Sequence, residues 1–342
     1  MKKVLFIVDV RNWAYDDRAK TWKNKLSKKY DIDILYLKDY DPVKLNYESY
    51  RYIKELQDAA IFDKNLNQKH FIDKFKFVNK NNEIVSPIFD HREYDGIYIF
   101  YSRALCDTRL LATPIPLDKL AIAINNEKWT DDGVDKTYNT YLRGARAITC
   151  CNDYILNEFK KTYSNCFKVT QVVDESIFKI LRKEIVSNRT NRNIKVGWSG
   201  NYSNPIKNYD LIKKACSAAG VKLYKERELN RIDLAKWYNE LDLVVCASKS
   251  EGGPALLLEA GASGVAVITT KVGLAREIIN NGQNGLFAEE DAKDIALKIK
   301  TLARNIGLRK ELSESLHEDI LSNWTYDSRL YEIESVLKEI TS

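Results

Sequence analysis

Two glutamates, Glu251 and Glu259, flank a Gly-Gly-Pro turn in SKSEGGPALLLEAG, residues 248–261. The apolar run LVVCA (243–247) precedes it and reads as a buried strand. Gly252 and Gly253 let the backbone approach a ligand closely, and Pro254 suits the first turn of a helix, where a missing N–H costs nothing. Such a helix aims free N–H groups and the positive end of its dipole at the carboxyl edge of the sheet, a site that favours phosphate. Glu251 and Glu259 suit a different part of the ligand, because carboxylates accept hydrogen bonds from sugar hydroxyls. The pattern therefore predicts a ligand with both phosphate and vicinal hydroxyls, such as a nucleotide sugar.

The rest of the chain must hold such a loop at a sheet edge. Short apolar runs alternate with helical stretches: VLFIV (4–8), DILYL (33–37), GIYIFY (96–101), LAIAI (120–124), AITC (147–150) and FKVTQVV (167–173), then IKVGW (194–198), VKLY (221–224), LVVCA and VAVIT (265–269). Continuous apolar strands between helices indicate parallel sheets covered on both faces, an α/β class. Residues 65–95 interrupt the first series, and KHFIDKFKFVNKNNEIVSPIF reads as two short strands around NKNN. The stretch 179–193 is polar and basic without apolar period, so the expected domains are 1–180, a linker 181–193, and 194–325. Helical stretches are expected at 291–322 and 325–340. The second, carrying Leu330, Ile333, Val336, Leu337 and Ile340, is expected to pack back toward the first domain as the tail 326–342.

Composition bounds the class. The 342 residues carry 54 Lys+Arg against 48 Asp+Glu, a net charge of +6, with 44% hydrophobic residues, which fits two ordinary domains and argues against long disorder. No run approaches ~18 apolar residues, so no membrane-spanning helix is expected. MKKVLFIVDV is broken by Asp9 and Arg11 and reads as a first strand rather than a leader. The six cysteines (Cys106, Cys150, Cys151, Cys166, Cys216, Cys246) have no CxxC spacing, and the three histidines lie far apart. Reduced core thiols, a cytoplasmic location and no metal or other cofactor are the expectation.

The order EGGPxxxxE, with VVCAS before it and AVITT-KVGLAREII-NNGQNGLF after it, resembles the donor site of glycosyltransferase family 4, the retaining glycosyl transferases group 1. The resemblance covers most of 194–325, including Trp324, and more weakly ARAITCCNDYILNEF and VTQVVDESIF. It implies the GT-B architecture, two Rossmann-like domains facing each other across a cleft. It also implies that Glu259 binds the ribose hydroxyls and that Glu251 contacts the transferred sugar. The amides of Gly252, Gly253 and Pro254 would lie beside the donor phosphate. Gly200, Asn201 and Lys207, in WSGNYSNPIKN, occupy the place of a Gly-Arg…Lys signature that neutralises the diphosphate. Asn201 there removes one positive charge, and Arg227 is placed near the base or as compensation. Glu251 and Lys207 are then the expected catalytic pair, with no metal and with front-face attack by the acceptor.

The first domain departs from the family pattern. Its first loop, DVRNWAY, has no glycine, and Asn125 and Asn126 stand where many members have a histidine. Arg11, Asn12, Trp13, Asn125 and Asn126 are acceptor-side candidates; for the first three, a packed Trp beside a solvated Arg is an equal alternative. The basic segment 15–29 reads as a solvated face, and 69–80 as a strand pair with one apolar face; for both the alternative is contact with anionic membrane or nucleic acid. The expected function is transfer from a nucleoside-diphosphate sugar, UDP favoured, to a glycan or lipid-linked glycan. The location is cytoplasmic, with contact to the inner membrane face left open. The alternatives are glycosylation of a protein or modified nucleic-acid base, another GT-B enzyme of phosphorylase or epimerase type, and a non-catalytic protein that binds nucleotide sugars or glycans.

Overall fold

The β-branched runs form two separate parallel sheets in the computed structural model, which describes residues 1–12, 14–43, 76–126, 133–137, 142, 144–182 and 187–342. One unit comprises Met1–Cys150, Ile155–Val169 and Tyr331–Ser342; the other comprises Cys151–Tyr154 and Thr170–Leu330.

The strands of the first unit are β1 (Lys2–Val8), β2 (Tyr30–Tyr36), β3 (Tyr40–Pro42), β4 (Phe77–Asn79), β5 (Ile84–Val85), β6 (Gly96–Ile99), β7 (Leu120–Ile124), β8 (Ala147–Cys150) and β9 (Cys166–Lys168). Six of them make a parallel sheet in the order β2-β1-β6-β7-β8-β9. Every residue of β6, β7 and β8 is buried, which is why these runs are continuously apolar rather than alternating. The remaining three strands form a small antiparallel sheet, β3-β4-β5. The expected hairpin around NKNN is therefore present as β4 and β5, with Asn82 in the left-handed region at φ 62°. The helix Leu330–Ile340 belongs to this unit. Its apolar stripe is buried, Lys29 and Arg146 pair with its Glu334 and Glu339, and a Cβ on Gly96 would meet Ile340 at 2.9 Å.

The second unit holds β10 (Val196–Ser199), β11 (Leu223–Glu226), β12 (Leu243–Cys246), β13 (Ala266–Thr269) and β14 (Leu286–Phe287) in the order β11-β10-β12-β13-β14, all parallel. The connection order reverses between β10 and β12. At such a reversal the loops leaving the carboxyl ends diverge and open a crevice.

Several expected boundaries move. The division between units falls at 169/170 rather than within 181–193, because the polar stretch is tied to the second unit. Arg182 donates to the carbonyls of Leu241 (2.9 Å) and Gly264 (2.7 Å). Arg189 pairs with the buried Asp242 (2.8 Å). The fully buried Arg309 donates to the carbonyls of Ser187 (2.9 Å) and Arg189 (2.7 Å). The run 167–173 is strand only to Lys168, and Val173 instead bridges to Thr325 of the second unit. The stretch 291–322 is two helices, Ala292–Arg304 and Ile306–Asn323. The Asn305 side chain accepts from Leu308 N (3.0 Å) and caps the second. The final helix begins at Leu330 rather than 325.

Candidate functional site

The loops after β10 and β12 bring the expected residues of the second unit together. Pro205–Lys207 is a 3-10 turn capped by Asn204, whose side chain accepts from Ile206 N (3.1 Å). Lys249 N donates to Ile206 O (2.9 Å), which ties this turn to the loop after β12. Lys207 Nζ then lies 2.6 Å from Glu251 Oε1, which also accepts from Ser248 Oγ at 2.7 Å. The Glu251 side chain is only 11% exposed, so this carboxylate is held by a cation and a hydroxyl rather than by water. An ammonium has three protons, so Lys207 can keep Glu251 and still bond an anionic oxygen.

The Gly-Gly-Pro turn is pinned on both sides. Gly252 O accepts from Asn152 Nδ2 (2.9 Å) and from Leu274 N (2.9 Å). A Cβ on Gly253 would sit 2.5 Å from Gln171 Cβ. Gly273, at φ +45°, lies so close that a Cβ would stand 2.3 Å from Glu251 O and 2.5 Å from Gly252 O. Thr270 Oγ1 holds Ser248 O at 2.6 Å. Pro254 is extended (φ −71°, ψ 102°) and stands at the cap position, one residue ahead of the helix Ala255–Ala262. That helix carries no side-chain cap at its start, which leaves early backbone N–H groups for a ligand.

Glu259 lies in the same helix. Its Oε2 accepts from Tyr238 OH at 3.0 Å, and Tyr238 OH is 2.6 Å from Ser199 Oγ at the end of β10. Tyr238 is fully buried, and burial together with the Glu259 charge pushes its hydroxyl well above the usual tyrosine range. Burial also raises the Cys246 thiol. Gly200 follows Ser199 at φ +148°, and its N–H bonds Glu226 O at 3.0 Å.

Two donor-side candidates are engaged elsewhere. Asn201 Oδ1 accepts from Ser203 N (3.1 Å), closing a local turn. The exposed Arg227 lies 5.1 Å over the Tyr202 ring. Ser199, Ser248, Asn152 and Gln171 belong to the arrangement and stand inside the runs WSGNYSNPIKN, VVCAS, ARAITCCNDYILNEF and VTQVVDESIF without a role of their own there; Tyr238 stands in none of these runs, and Gly273 is the glycine of KVGLAREII.

In the first unit, Arg11 and Asn12 follow β1, and Asn125 and Asn126 follow β7. Both pairs lie at the carboxyl edge of one sheet. Arg11 pairs with Asp39 and stacks 3.7 Å over the Tyr36 ring. Asn12 (φ 58°) donates its N–H to Asp16, and Asn125 Nδ2 donates to Phe100 O (2.6 Å). Trp13 and residues 69–75 lie outside the described residues. In the basic helix, Ala14–Leu26, Arg18 is buried and lies 5.5 Å over Trp22. The five cysteines with described side chains are buried, and none of them is in a disulfide. Among the described residues, no three His, Cys, Asp or Glu side chains converge as a metal site requires, and no helix is long and apolar enough to cross a membrane.

Residues 177–318 match the family model for glycosyl transferases group 1. Over 101 residues the chain is 33% identical to the N,N'-diacetylbacillosaminyl-diphospho-undecaprenol alpha-1,3-N-acetylgalactosaminyltransferase of Campylobacter jejuni, covering 29% of this chain and 26% of that protein. It is 27% identical over 219 residues to an uncharacterized glycosyltransferase of Methanocaldococcus jannaschii, covering 57% and 60%. The matches thus span less than two thirds of either relative. Among solved structures, Anabaena HepE in complex with UDP and glucose superposes with a TM-score of 0.65 at 14% identity, covering 99% of this chain and 100% of that one. Sucrose-phosphate synthase from Thermosynechococcus elongatus gives 0.70 at 10% identity, covering 99% of each. Two Rossmann-like α/β units with these likenesses define the GT-B fold. Within it, the second unit is similar to the group 1 glycosyl transferases.

Proposed function

We propose that this protein is a retaining, metal-independent glycosyltransferase of family 4 that uses a nucleoside-diphosphate sugar, with UDP favoured. The observation that carries the reading is the meeting of Lys207 and Glu251 beside the Gly252-Gly253-Pro254 turn, at the start of the helix that bears Glu259. A leaving diphosphate needs positive charge as the sugar carbon becomes oxocarbenium-like. Lys207 and the uncapped helix N-terminus supply that field. Glu251 holds the transferred sugar in place, and Glu259 accepts from the ribose hydroxyls. The acceptor attacks from the face of the leaving group, and the departing phosphate takes its proton.

The acceptor in this reading is a glycan or lipid-linked glycan. The activity of the Campylobacter relative, on a diphospho-undecaprenol-linked sugar, supports it. The site of action is the cytoplasm, with the acceptor reached at the inner membrane face. The engagement of Asn201 in a local turn, where the family signature has a cation, favours as second reading a protein that binds nucleotide sugars without turnover.

The test is nucleotide release from a panel of UDP-, GDP-, ADP- and dTDP-sugars, with Glu259→Ala and Lys207→Ala alongside. Release from one donor, lost in both variants, establishes the reading. Thermal stabilisation without release leaves the second reading. Silence in both assays removes the donor site.

A further inference from the structure

The donor reading assigns Glu259 to a ribose diol, and the role inferred for Tyr238 rests on that reading. The second unit also holds a device that sets where the Glu259 carboxylate stands. Tyr238 lies in the helix Arg231–Asn239, away from both loops in sequence. Its ring is locked by edge contacts with Phe178 (6.1 Å) and Trp237 (5.2 Å), so its hydroxyl has one place to be. A tyrosine hydroxyl has one proton, and here it is donated to Glu259 Oε2. The short contact to Ser199 must then run the other way, with Ser199 Oγ–H donating to Tyr238 O. The result is a directed chain, Ser199 to Tyr238 to Glu259. It joins the last residue of β10, just before Gly200, to the helix after the Gly-Gly-Pro turn. Each donor polarises the next, and the chain ends on the half-buried carboxylate.

We propose that Tyr238 is a positioning residue that fixes Glu259 to accept the vicinal hydroxyls of a nucleoside ribose. It touches no ligand itself. A carboxylate on a free side chain samples several rotamers, whereas one tethered through a buried hydroxyl meets the diol already aimed. The device therefore acts on discrimination between ribose and its deoxy forms, while phosphate binding at Lys207 stays as it is.

The experiment is calorimetric titration of the whole chain with UDP and GDP, each beside its 2′,3′-dideoxy form, and with inorganic pyrophosphate. Wild type, Tyr238→Phe, Ser199→Ala and Glu259→Gln are compared. Tyr238→Phe keeps the ring and its packing and removes only the hydroxyl. It is expected to weaken ribonucleotide binding about five- to tenfold, the worth of one buried hydrogen bond. Dideoxy and pyrophosphate binding should be unchanged, so the ribo/dideoxy ratio falls by the same factor. Ser199→Ala, which disturbs no ring packing, should move the ratio the same way, and an unchanged ratio there counts against the chain. Equal loss for both nucleotide forms in Tyr238→Phe means a merely structural tyrosine and overturns the proposal. Wild-type discrimination lost in Glu259→Gln but kept in Tyr238→Phe overturns it too, and leaves the donor reading standing. A wild type that binds ribo and dideoxy forms alike removes the ribose role of Glu259 and the proposal with it.

Discussion

At the carboxyl end of β12 the loop is tied to elements on both sides of the Gly-Gly-Pro turn, whereas at the carboxyl end of β1 the polar side chains are satisfied by the ends of neighbouring strands. Glu251 takes bonds from the turn after β10 and from its own loop, and Gly252 is held from residue 152 and residue 274. Arg11 spends its charge on Asp39 and its face on Tyr36, and Asn125 spends its amide on Phe100 O. Both edges lie on parallel sheets whose connections reverse nearby, so topology alone does not separate them. The difference lies in glycine. The β12 loop contains two, backed by Gly273 at positive φ, and so backbone can crowd backbone. The β1 loop has none, and its turn is made by Asn12 at φ 58°. A loop tied to several elements and a loop satisfied by its neighbours look alike on a topology diagram, and the partners of the polar atoms tell them apart.

The sharpest way to break this contrast is a pair of substitutions. Lys207→Ala should lower donor-dependent nucleotide release by about 10²–10³-fold, as expected for loss of one preorganised charge at a leaving group. Arg11→Ala should leave acceptor-free release within about twofold, because its bonds stay within the first unit. Comparable losses in both would erase the distinction. Next in size, Gly273→Ala drives a Cβ into two carbonyls at positive φ and should cost on the order of 3 kcal/mol in denaturant unfolding. An unshifted midpoint would show that the loop is free to relax. Asn125→Ala forfeits one side-chain bond to Phe100 O and should cost about 1 kcal/mol, with nucleotide binding untouched.

The smallest effect concerns pH. Burial alone would push the Asp16 carboxyl up, but Lys20, the Asn12 amide and Tyr36 OH outweigh it and hold it below 3.8. A depressed folded value gives stability that is complete above the unfolded value and is lost as pH falls through the folded one. The first unit should therefore lose part of its stability below pH 3.8, and Asp16→Asn should flatten that acid limb of the unfolding curve. An acid limb of the same steepness in the variant would place the sensitivity elsewhere.

Where apolar run and strand coincide, as in β7 and β8, the sequence is enough, because a strand covered on both faces has no polar register to hide. The run 167–173 misleads for the same reason: Val172 and Val173 are buried too, but Val173 is bridged to Thr325 outside the first sheet. The stretch 179–193 looks like a free linker because its ties run through backbone carbonyls, Arg182 donating to Leu241 O and Arg309 donating to the carbonyls of Ser187 and Arg189, and no side-chain pattern announces a carbonyl. In the site, Lys207, Glu251 and Glu259 are legible because each stands in an ordered motif. Tyr238 and Ser199 are not, since their tie to Glu259 closes only when one strand and two helices are in place.

The division of the chain has a practical outcome for anyone recombining such proteins. A graft that exchanges the second unit between 170 and 330 leaves the short piece Cys151–Tyr154 behind in the recipient. Asn152 of that piece supplies the amide on Gly252, and the Asp153 N–H meets Glu277 Oε1 at 2.6 Å. A chimaera must therefore carry three junction segments from one parent: 151–154, 170–330 and a matching seam at 331, where the last helix returns to the first unit. Parents that differ at 152 are expected to give hybrids that fold yet misplace the Gly-Gly-Pro turn.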